Sequence, residues 1–197
     1  INNKKYVCIY NRDNKYLRDR FPLLNFNYHE HRNSSIDNLK KLSELFVNKF
    51  GFSVVRIGSN PEKKIEWENL SKDIIDYPFS GFRDQIFDIE LISGCEFFIS
   101  NGGGPEAVAI ASQRKVFAIN AFLYPCGFDV PRGIFIPKII RDCKSGKVIS
   151  ISEMVKRGIL KVLNNEQFLK AGVIIYENSE NEILKAFEDY LNYKNKK

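Results

Sequence analysis

The sequence predicts an open, doubly wound α/β sheet of the Rossmann-like kind, with parallel strands and helices on both faces. Short apolar runs alternate with amphipathic stretches. The runs are apolar at nearly every position, as expected for strands buried on both sides. The first two are joined by a stretch of helical spacing, which is typical of a parallel crossover. A length of 197 residues suits one domain over residues 1–193, followed by a basic tail, 194–197, that we expect to fray.

The first half of the chain predicts the strand, helix and strand unit that begins such a sheet. Residues 6–10 are apolar and end in polar residues, which indicates a strand followed by a long loop. Apolar residues at helical spacing predict a helix from Ile36 to Phe50, where Gly51 stops it. Residues 52–58 form the second predicted strand, and the crossover should be right-handed. Residues 59–72 are polar and indicate a loop, and a short third strand is expected at 74–77.

The second half continues the alternation. We expect a helix over 83–92, a strand over 95–100, a helix from Pro105 to Ala111 and a strand over 115–120. Residues 121–147 carry many prolines and glycines and predict an irregular excursion with one extended piece at 134–136. Ser150 and Glu153 have capping-box spacing and predict a helix to about residue 163. A last strand is expected at 172–176, and a second capping box, Ser179 with Glu182, opens the final helix.

Composition and charge exclude several classes of protein. The chain is 44% hydrophobic and 27% charged, which does not suit a disordered or repetitive protein. No run approaches the roughly 20 apolar residues that span a bilayer, and no signal-peptide core follows the first residue, so a cytoplasmic protein is expected. Three of the six net positive charges lie in the tail, so we do not expect nucleic acid as a partner. The four cysteines, Cys8, Cys95, Cys126 and Cys143, are scattered and predict reduced thiols in or near the core.

The strongest local feature is the run Ser100-Asn101-Gly102-Gly103-Gly104-Pro105-Glu106, where a strand turns into a helix. Glycines let the backbone come close to a ligand, and a helix start offers unpaired N–H groups to a phosphate. The spacing matches neither the dinucleotide fingerprint nor the P-loop. A tight turn that holds no ligand is the structural alternative.

Other polar residues are expected at the same edge of the sheet, where such folds bind ligands. Arg12 and Asp13 follow the first strand, and Arg56 lies near the end of the second. Arginine is costly to bury alone, so Arg56 should either pair with a carboxylate such as Asp13 or reach a ligand phosphate. These residues and the glycine turn therefore converge on one predicted crevice.

Both histidines, His29 and His31, lie in a polar cluster before the first long helix. The pair has no recognisable second pair of ligands, so no metal site is predicted, and no cofactor is expected. Arg32 and Asn33 could contact a phosphate, a sugar or a base, or could pack the loop. The weak candidates for acid or base catalysis are Asp13, Glu30, the two histidines and Glu106.

The order of these motifs resembles a bacterial family of glycosyltransferases with the two-lobed GT-B fold, in particular its carboxyl-terminal, donor-binding lobe. The resemblance rests on Asn11-Arg12-Asp13, His31-Arg32-Asn33, Val55-Arg56-Ile57-Gly58, the run from Cys95 to Pro105, Asn120, and Glu177-Asn178-Ser179 through Ile183. It implies that the chain binds a UDP-, GDP-, CMP- or ADP-sugar without a metal and transfers the sugar to an unidentified acceptor. The implied binding residues are Asn11, Arg12, Arg32, Asn33, Arg56, Asn101, Gly102, Gly103, Gly104 and Asn120. Asp13, His31 and Glu106 remain the weak catalytic candidates.

Three further points qualify this expectation. An enzyme of that fold needs an amino-terminal lobe, which this sequence lacks. Either the chain is a fragment, as its first residue, Ile1, hints, or it is a reduced protein whose other half comes from elsewhere, and in both cases we do not expect it to be active alone. A nucleotide-sugar epimerase shares the two-lobed architecture. A non-catalytic α/β binding module is the third candidate, and it would be favoured if side chains such as Phe122 and Tyr124 filled the crevice.

Overall fold

The computed structural model describes residues 4–122, 133–162 and 164–194, and a six-stranded parallel sheet forms its centre. The strands are β1 (Tyr6–Tyr10), β2 (Ser53–Arg56), β3 (Ile74–Asp76), β4 (Phe97–Ser100), β5 (Lys115–Ala121) and β6 (Ile134–Pro137). Their order is β3-β2-β1-β4-β5-β6, with each neighbouring pair parallel. This is the Rossmann order, so the predicted fold class is confirmed.

Helices cover both faces of this sheet. These are α2 (Lys40–Phe50) and α7 (Glu180–Lys194) on one face and α3 (Gln85–Gly94) and α4 (Gly104–Ala111) on the other. The remaining helices are α1 (Lys15–Arg20), α5 (Ile151–Lys156) and α6 (Asn165–Lys170). Side chains of α2 and α7 join one core cluster, where the rings of Phe46 and Phe187 lie 4.9 Å apart. Side chains of α3 and α4 join the cluster on the opposite face.

The first strand shows why these strands are apolar at every position. Val7 and Ile9 belong to the α2 and α7 cluster, whereas Cys8 between them belongs to the α3 and α4 cluster. Successive side chains of a strand point to opposite faces, so a sheet covered on both sides buries all of them. All three residues have no exposed surface.

The end of the chain differs most from the sequence prediction. Strand β8 (Val173–Tyr176) does not extend the main sheet but pairs antiparallel with β7 (Ile139–Asp142) in a separate two-stranded sheet. The extended piece predicted at 134–136 is confirmed as β6, which joins the edge of the main sheet. The prediction of an irregular excursion was wrong for 139–142, because β7 forms a strand of the small sheet there. Residues 123–132 lie outside the described residues.

The predicted helix boundaries also need correction. The helix that begins after Ser150 ends at Lys156 rather than near 163, since Gly158 adopts a left-handed backbone with φ of +68° and a 3₁₀ turn follows over Ile159–Lys161. Helix α6 was not predicted. The long loop expected after β1 contains α1 and a 3₁₀ turn over Asn27–Arg32, and a further 3₁₀ turn over Ile36–Leu39 precedes α2.

Two smaller expectations can be compared with the structure. Cys8 and Cys95 are buried free thiols, as predicted, but Cys143 is exposed, and Cys126 lies outside the described residues. Lys194 is the last residue of α7, and residues 195–197 of the expected tail lie outside the described part. None of the helices in the described part of the chain is long and apolar enough to cross a membrane.

Candidate functional site

The carboxyl ends of the strands form the edge where the predicted site residues meet. Strand β1 connects through α2 on one face, whereas its neighbour β4 connects through α4 on the other. Such a switch in direction opens a crevice between adjacent strand ends. A cavity of about 490 Å³ lies at this edge, within the range of small-molecule sites.

The cavity is lined by the loops after β1, β2 and β4 and by α3. Its polar lining includes Asn11, Arg12, Asp13, Ser59, Arg83, Gln85 and Asp88, beside the glycine turn and several apolar side chains. Phe122 does not line it, because its ring packs edge-on against His31 and Phe168 at centroid distances of 4.9 and 5.0 Å. Tyr124 lies outside the described residues. The crevice is therefore not filled by Phe122.

The glycine turn has the backbone shape that the sequence suggests. Gly102 and Gly103 have φ of +92° and +129°, backbone angles that L residues with a side chain rarely adopt. A Cβ on Gly103 would lie 3.3 Å from the hydroxyl oxygen of Tyr10, so the turn also approaches β1 closely. The N–H groups of Gly103 and Gly104 have no hydrogen-bond partner among the described residues, and both glycines line the cavity. The turn thus presents free donors to the cavity.

Glu106 faces the inside of this turn. Its carboxylate accepts a hydrogen bond from the Ser100 hydroxyl, and the Gly102 N–H donates to the same hydroxyl oxygen at 3.2 Å. Burial raises the pKa of Glu106, while hydrogen bonds from Ser100 and the Gly102 backbone partly offset this increase. Glu106 is 3% exposed and does not line the cavity. The structure therefore gives this catalytic candidate a role within the turn.

Two asparagines hold the loop after β1 against the glycine turn and the residues before α2. The Asn101 side chain accepts a hydrogen bond from the Arg12 N–H at 2.7 Å and donates one to the Arg32 carbonyl oxygen at 2.9 Å. The Arg12 guanidinium donates to Asn33 Oδ1 at 2.7 Å. Because these bonds fix the loops, Arg12 is held at the wall of the cavity.

Arg56 pairs with a carboxylate, and its partner is Asp76 rather than Asp13. Its side chain is 1% exposed and lies 3.4 Å from Asp76 Oδ1. It also donates to the Lys63 carbonyl oxygen at 2.7 Å and to Asn11 Oδ1 at 3.1 Å. Burial lowers the pKa of Arg56, and Asp76 acts in the opposite direction. Arg56 does not line the cavity, so it supports the site through Asn11.

Asp13 is the catalytic candidate that lines the cavity. Its two carboxylate oxygens accept hydrogen bonds from the N–H groups of Lys15 at 2.9 Å and Glu62 at 3.0 Å. The first bond helps α1 begin, and the second ties the loop after β2 to the loop after β1. Asp13 therefore positions two walls of the cavity.

His31 lies outside the cavity and is 9% exposed. Its Nδ1 lies 2.8 Å from Asn165 Oδ1, and its ring packs edge-on against Phe122 and Phe168. Burial lowers the pKa of His31, and the Asn165 bond opposes that shift. The side chain of His29 is not among those described. Within the described part of the chain, no group of three or more His, Cys, Asp or Glu residues could hold a metal ion.

Asn120 belongs to a separate part of the same edge, at the end of β5. It has φ of +46° and exchanges two hydrogen bonds with Asn178: its N–H donates to Asn178 Oδ1 at 2.9 Å, and the Asn178 N–H donates to its side-chain oxygen. The Asn120 Nδ2 group is buried and has no partner among the described residues. Asn120 does not line the cavity.

The sequence reasoning missed the ion pair between Arg83 and Asp88, both of which line the cavity. Arg83 Nε and Asp88 Oδ1 are buried without hydrogen-bond partners among the described residues. Burial raises the pKa of Asp88, and Arg83 opposes that shift. The two residues flank the start of α3 and follow no recognised motif, so only their opposite charges could have suggested the pair.

Comparison with known proteins gives a limited result. No protein-family model matches the chain, and no curated protein matches it. Among solved structures, the chain is similar to the bacterial iron-containing dodecameric glycosyltransferase TibC from enterotoxigenic E. coli H10407, with 16% identity and a TM-score of 0.44. The likeness covers 69% of this chain and 32% of that chain, so this chain spans about a third of its length. At this identity and TM-score, the likeness carries no information on function.

Proposed function

We propose that the chain is a nucleotide-sugar-binding domain of a glycosyltransferase. The observation that carries the proposal is the 490 Å³ cavity at the strand ends, lined by the glycine turn and Arg12. Ligands of parallel α/β sheets bind at this edge, next to the point where strand connections change direction. The resemblance of the sequence motifs to a donor-binding GT-B lobe supports the same assignment.

The diphosphate of the donor would bind at the glycine turn. The N–H groups of Gly103 and Gly104 are free donors at the start of α4, where the helix dipole also favours negative charge. Arg12 adds a fixed positive charge at the cavity wall. Hydrogen bonds to a charged acceptor each contribute about 1.5–3 kcal/mol, so two or three of them hold a diphosphate well.

The same donors would promote transfer. When the bond between the anomeric carbon and the diphosphate oxygen breaks, negative charge develops on the leaving diphosphate. Donors that are already aimed at this charge stabilise the transition state without reorganising. Asp13 is the candidate for the catalytic base, because it lines the cavity whereas His31 and Glu106 do not. We expect transfer to need no metal, and an amino-terminal lobe to supply the acceptor site.

A calorimetric titration tests the proposal. The chain is titrated with UDP, GDP, CMP and ADP and with their common sugar conjugates, with and without a divalent metal. We expect one nucleotide to bind in the absence of metal, and Arg12→Met to weaken binding of its diphosphate about tenfold or more. The exposed control Lys185→Met should bind like the unchanged chain. If none of these nucleotides or sugar conjugates binds to the folded chain, the proposal is contradicted.

A further inference from the structure

Tyr10, the last residue of β1, forms part of the cavity wall beside the glycine turn. Gly58, in the loop after β2, and Gly103, in the turn after β4, line the cavity on either side of its ring. The positions that Cβ atoms would occupy on Gly103 and Gly58 lie 3.2 and 3.6 Å from Cε1 and Cε2 of the ring. These two carbons flank the carbon that carries the hydroxyl. The hydroxyl end of the ring is therefore held between two turns that have no side chains.

The Tyr10 hydroxyl has no hydrogen-bond partner among the described residues. It is also not one of the fully buried polar atoms that lack a partner, so another molecule can reach it. The other tyrosine of β1 differs in this respect, because the Tyr6 hydroxyl donates to the Leu91 carbonyl oxygen at 2.9 Å. A free phenol hydroxyl in a cavity wall is available to a ligand.

The chemistry around this hydroxyl favours an acceptor on the ligand. Burial raises the pKa of Tyr10 to about 12, so the phenol keeps its proton at neutral pH and can donate it to a hydrogen bond. The N–H groups of Gly103 and Gly104 are free donors in the same cavity, and Arg12 adds a positive charge to its wall. An anionic oxygen forms the strongest hydrogen bonds with such donors.

The distances allow the hydroxyl and the glycine turn to act on one group. The Tyr10 hydroxyl oxygen lies 3.3 Å from the position of a Cβ on Gly103. The Gly103 nitrogen is bonded to the same Cα as that Cβ, so the hydroxyl and the Gly103 N–H are close enough for one phosphate group to accept from both. Because the ring is already held between the two turns, it loses little freedom when a ligand binds.

We propose that the Tyr10 hydroxyl donates a hydrogen bond to the phosphate group that the glycine turn binds. The inference rests on the proposed function, because it takes a nucleoside diphosphate as the ligand of the turn. It adds a residue that acts through its hydroxyl alone, since a phenylalanine ring would fill the same space between the two turns.

The test removes this hydroxyl and keeps the ring, in Tyr10→Phe. The matched control is Tyr6→Phe, on the same strand, because Tyr6 does not line the cavity. The unchanged chain and both variants are titrated calorimetrically with the nucleoside diphosphate that binds most tightly in the panel and with its nucleoside, and their melting temperatures are measured. We expect Tyr10→Phe to weaken diphosphate binding about tenfold or more and to leave nucleoside binding and the melting temperature unchanged. Tyr6→Phe should lower the melting temperature and leave both affinities unchanged.

The outcomes separate this inference from the proposed function. If the diphosphate binds Tyr10→Phe as tightly as the unchanged chain, the inference is overturned and the proposed function stands. An equal loss for the diphosphate and the nucleoside would also overturn it, because the hydroxyl would then contact the base or the ribose. The same holds if Tyr6→Phe weakens diphosphate binding as much as Tyr10→Phe does. If no nucleotide binds the unchanged chain, the inference and the proposed function both fail.

Discussion

Replacing Asp76 with alanine tests whether the buried Arg56 and Asp76 pair supports the cavity. Arg56 is 1% exposed and Asp76 is 7% exposed, so the change leaves a guanidinium charge in the interior. Among the described residues, its remaining acceptors are the neutral Lys63 carbonyl and Asn11 amide oxygens. It also removes the acceptor of the Ile65 N–H, which lies 2.7 Å from Asp76 Oδ2.

The expected cost follows from this burial. Breaking a buried ion pair by removing one partner costs about 3–5 kcal/mol. For a chain of this size, 1 kcal/mol shifts the melting temperature by about 2–4 °C, so Asp76→Ala should lower it by roughly 6–20 °C. Removing both charges in Arg56→Met with Asp76→Leu should cost less than the sum of the two single changes, because no unpaired charge remains.

Urea unfolding followed by circular dichroism measures these differences. The matched control is Asp189→Ala, which removes the carboxylate of an exposed pair with Lys185, 3.3 Å away, and should change stability little. A loss for Asp76→Ala no larger than for the control would refute the reasoning, since Arg56 would then not depend on a carboxylate for its burial. Additive losses in the double variant would also contradict it.

Three other predictions follow from buried groups. Burial lowers the pKa of His31 below its ordinary 6.5. Its contribution to stability is therefore complete above pH 6.5 and is lost as the pH falls through the folded-state pKa. In melting curves measured from pH 7 to pH 4, His31→Gln should not show this loss of stability. Burial raises the pKa of Glu106 above its ordinary 4.5. Its contribution to the free energy of unfolding is therefore complete below pH 4.5 and is lost as the pH rises through the folded-state pKa. Relative to the unchanged chain, Glu106→Gln should be more stable at pH 7 than it is at pH 4, and the same stability difference at both pH values would contradict this. In Gly94→Ala the new Cβ would lie 2.5 Å from the Tyr6 hydroxyl oxygen and displace its 2.9 Å hydrogen bond to the Leu91 carbonyl oxygen. The free energy of unfolding should fall by about 1–3 kcal/mol, and by less when the same change is made in Tyr6→Phe.

The sheet could be predicted because its strands and their connections leave local signals. Apolar runs marked β1, β2, β4 and β5, and the glycine turn before Pro105 marked the start of α4. The partners of the later strands could not be predicted in this way. Strand β8 has the composition of a sheet strand, but it pairs with β7, which lies more than 30 residues earlier in the chain. Such long-range pairing is decided by tertiary packing and not by the pattern within one segment.

Part of the site could be predicted because the carboxyl ends of the parallel strands meet at one edge of the sheet. The sequence places Arg12, Asp13 and the glycine turn at one edge, and these residues do line the cavity. The sequence could not show that Arg56 forms its ion pair with Asp76, because that partner is 20 residues away on the neighbouring strand β3. Nor could it show that Lys138 shares Asn33 with Arg12, since that contact spans 105 residues.

The most direct test of the central claim is to map a bound nucleoside diphosphate on the folded chain by amide chemical shifts in nuclear magnetic resonance spectra. The nucleotide is the one that binds most tightly in the calorimetric panel, and Gly103→Ala is the control. The account predicts that the amides of Gly103, Gly104 and Arg12 shift on binding, and that these shifts are lost or reduced in the control. Binding that leaves these amides unchanged and shifts residues away from the carboxyl edge of the sheet would contradict it.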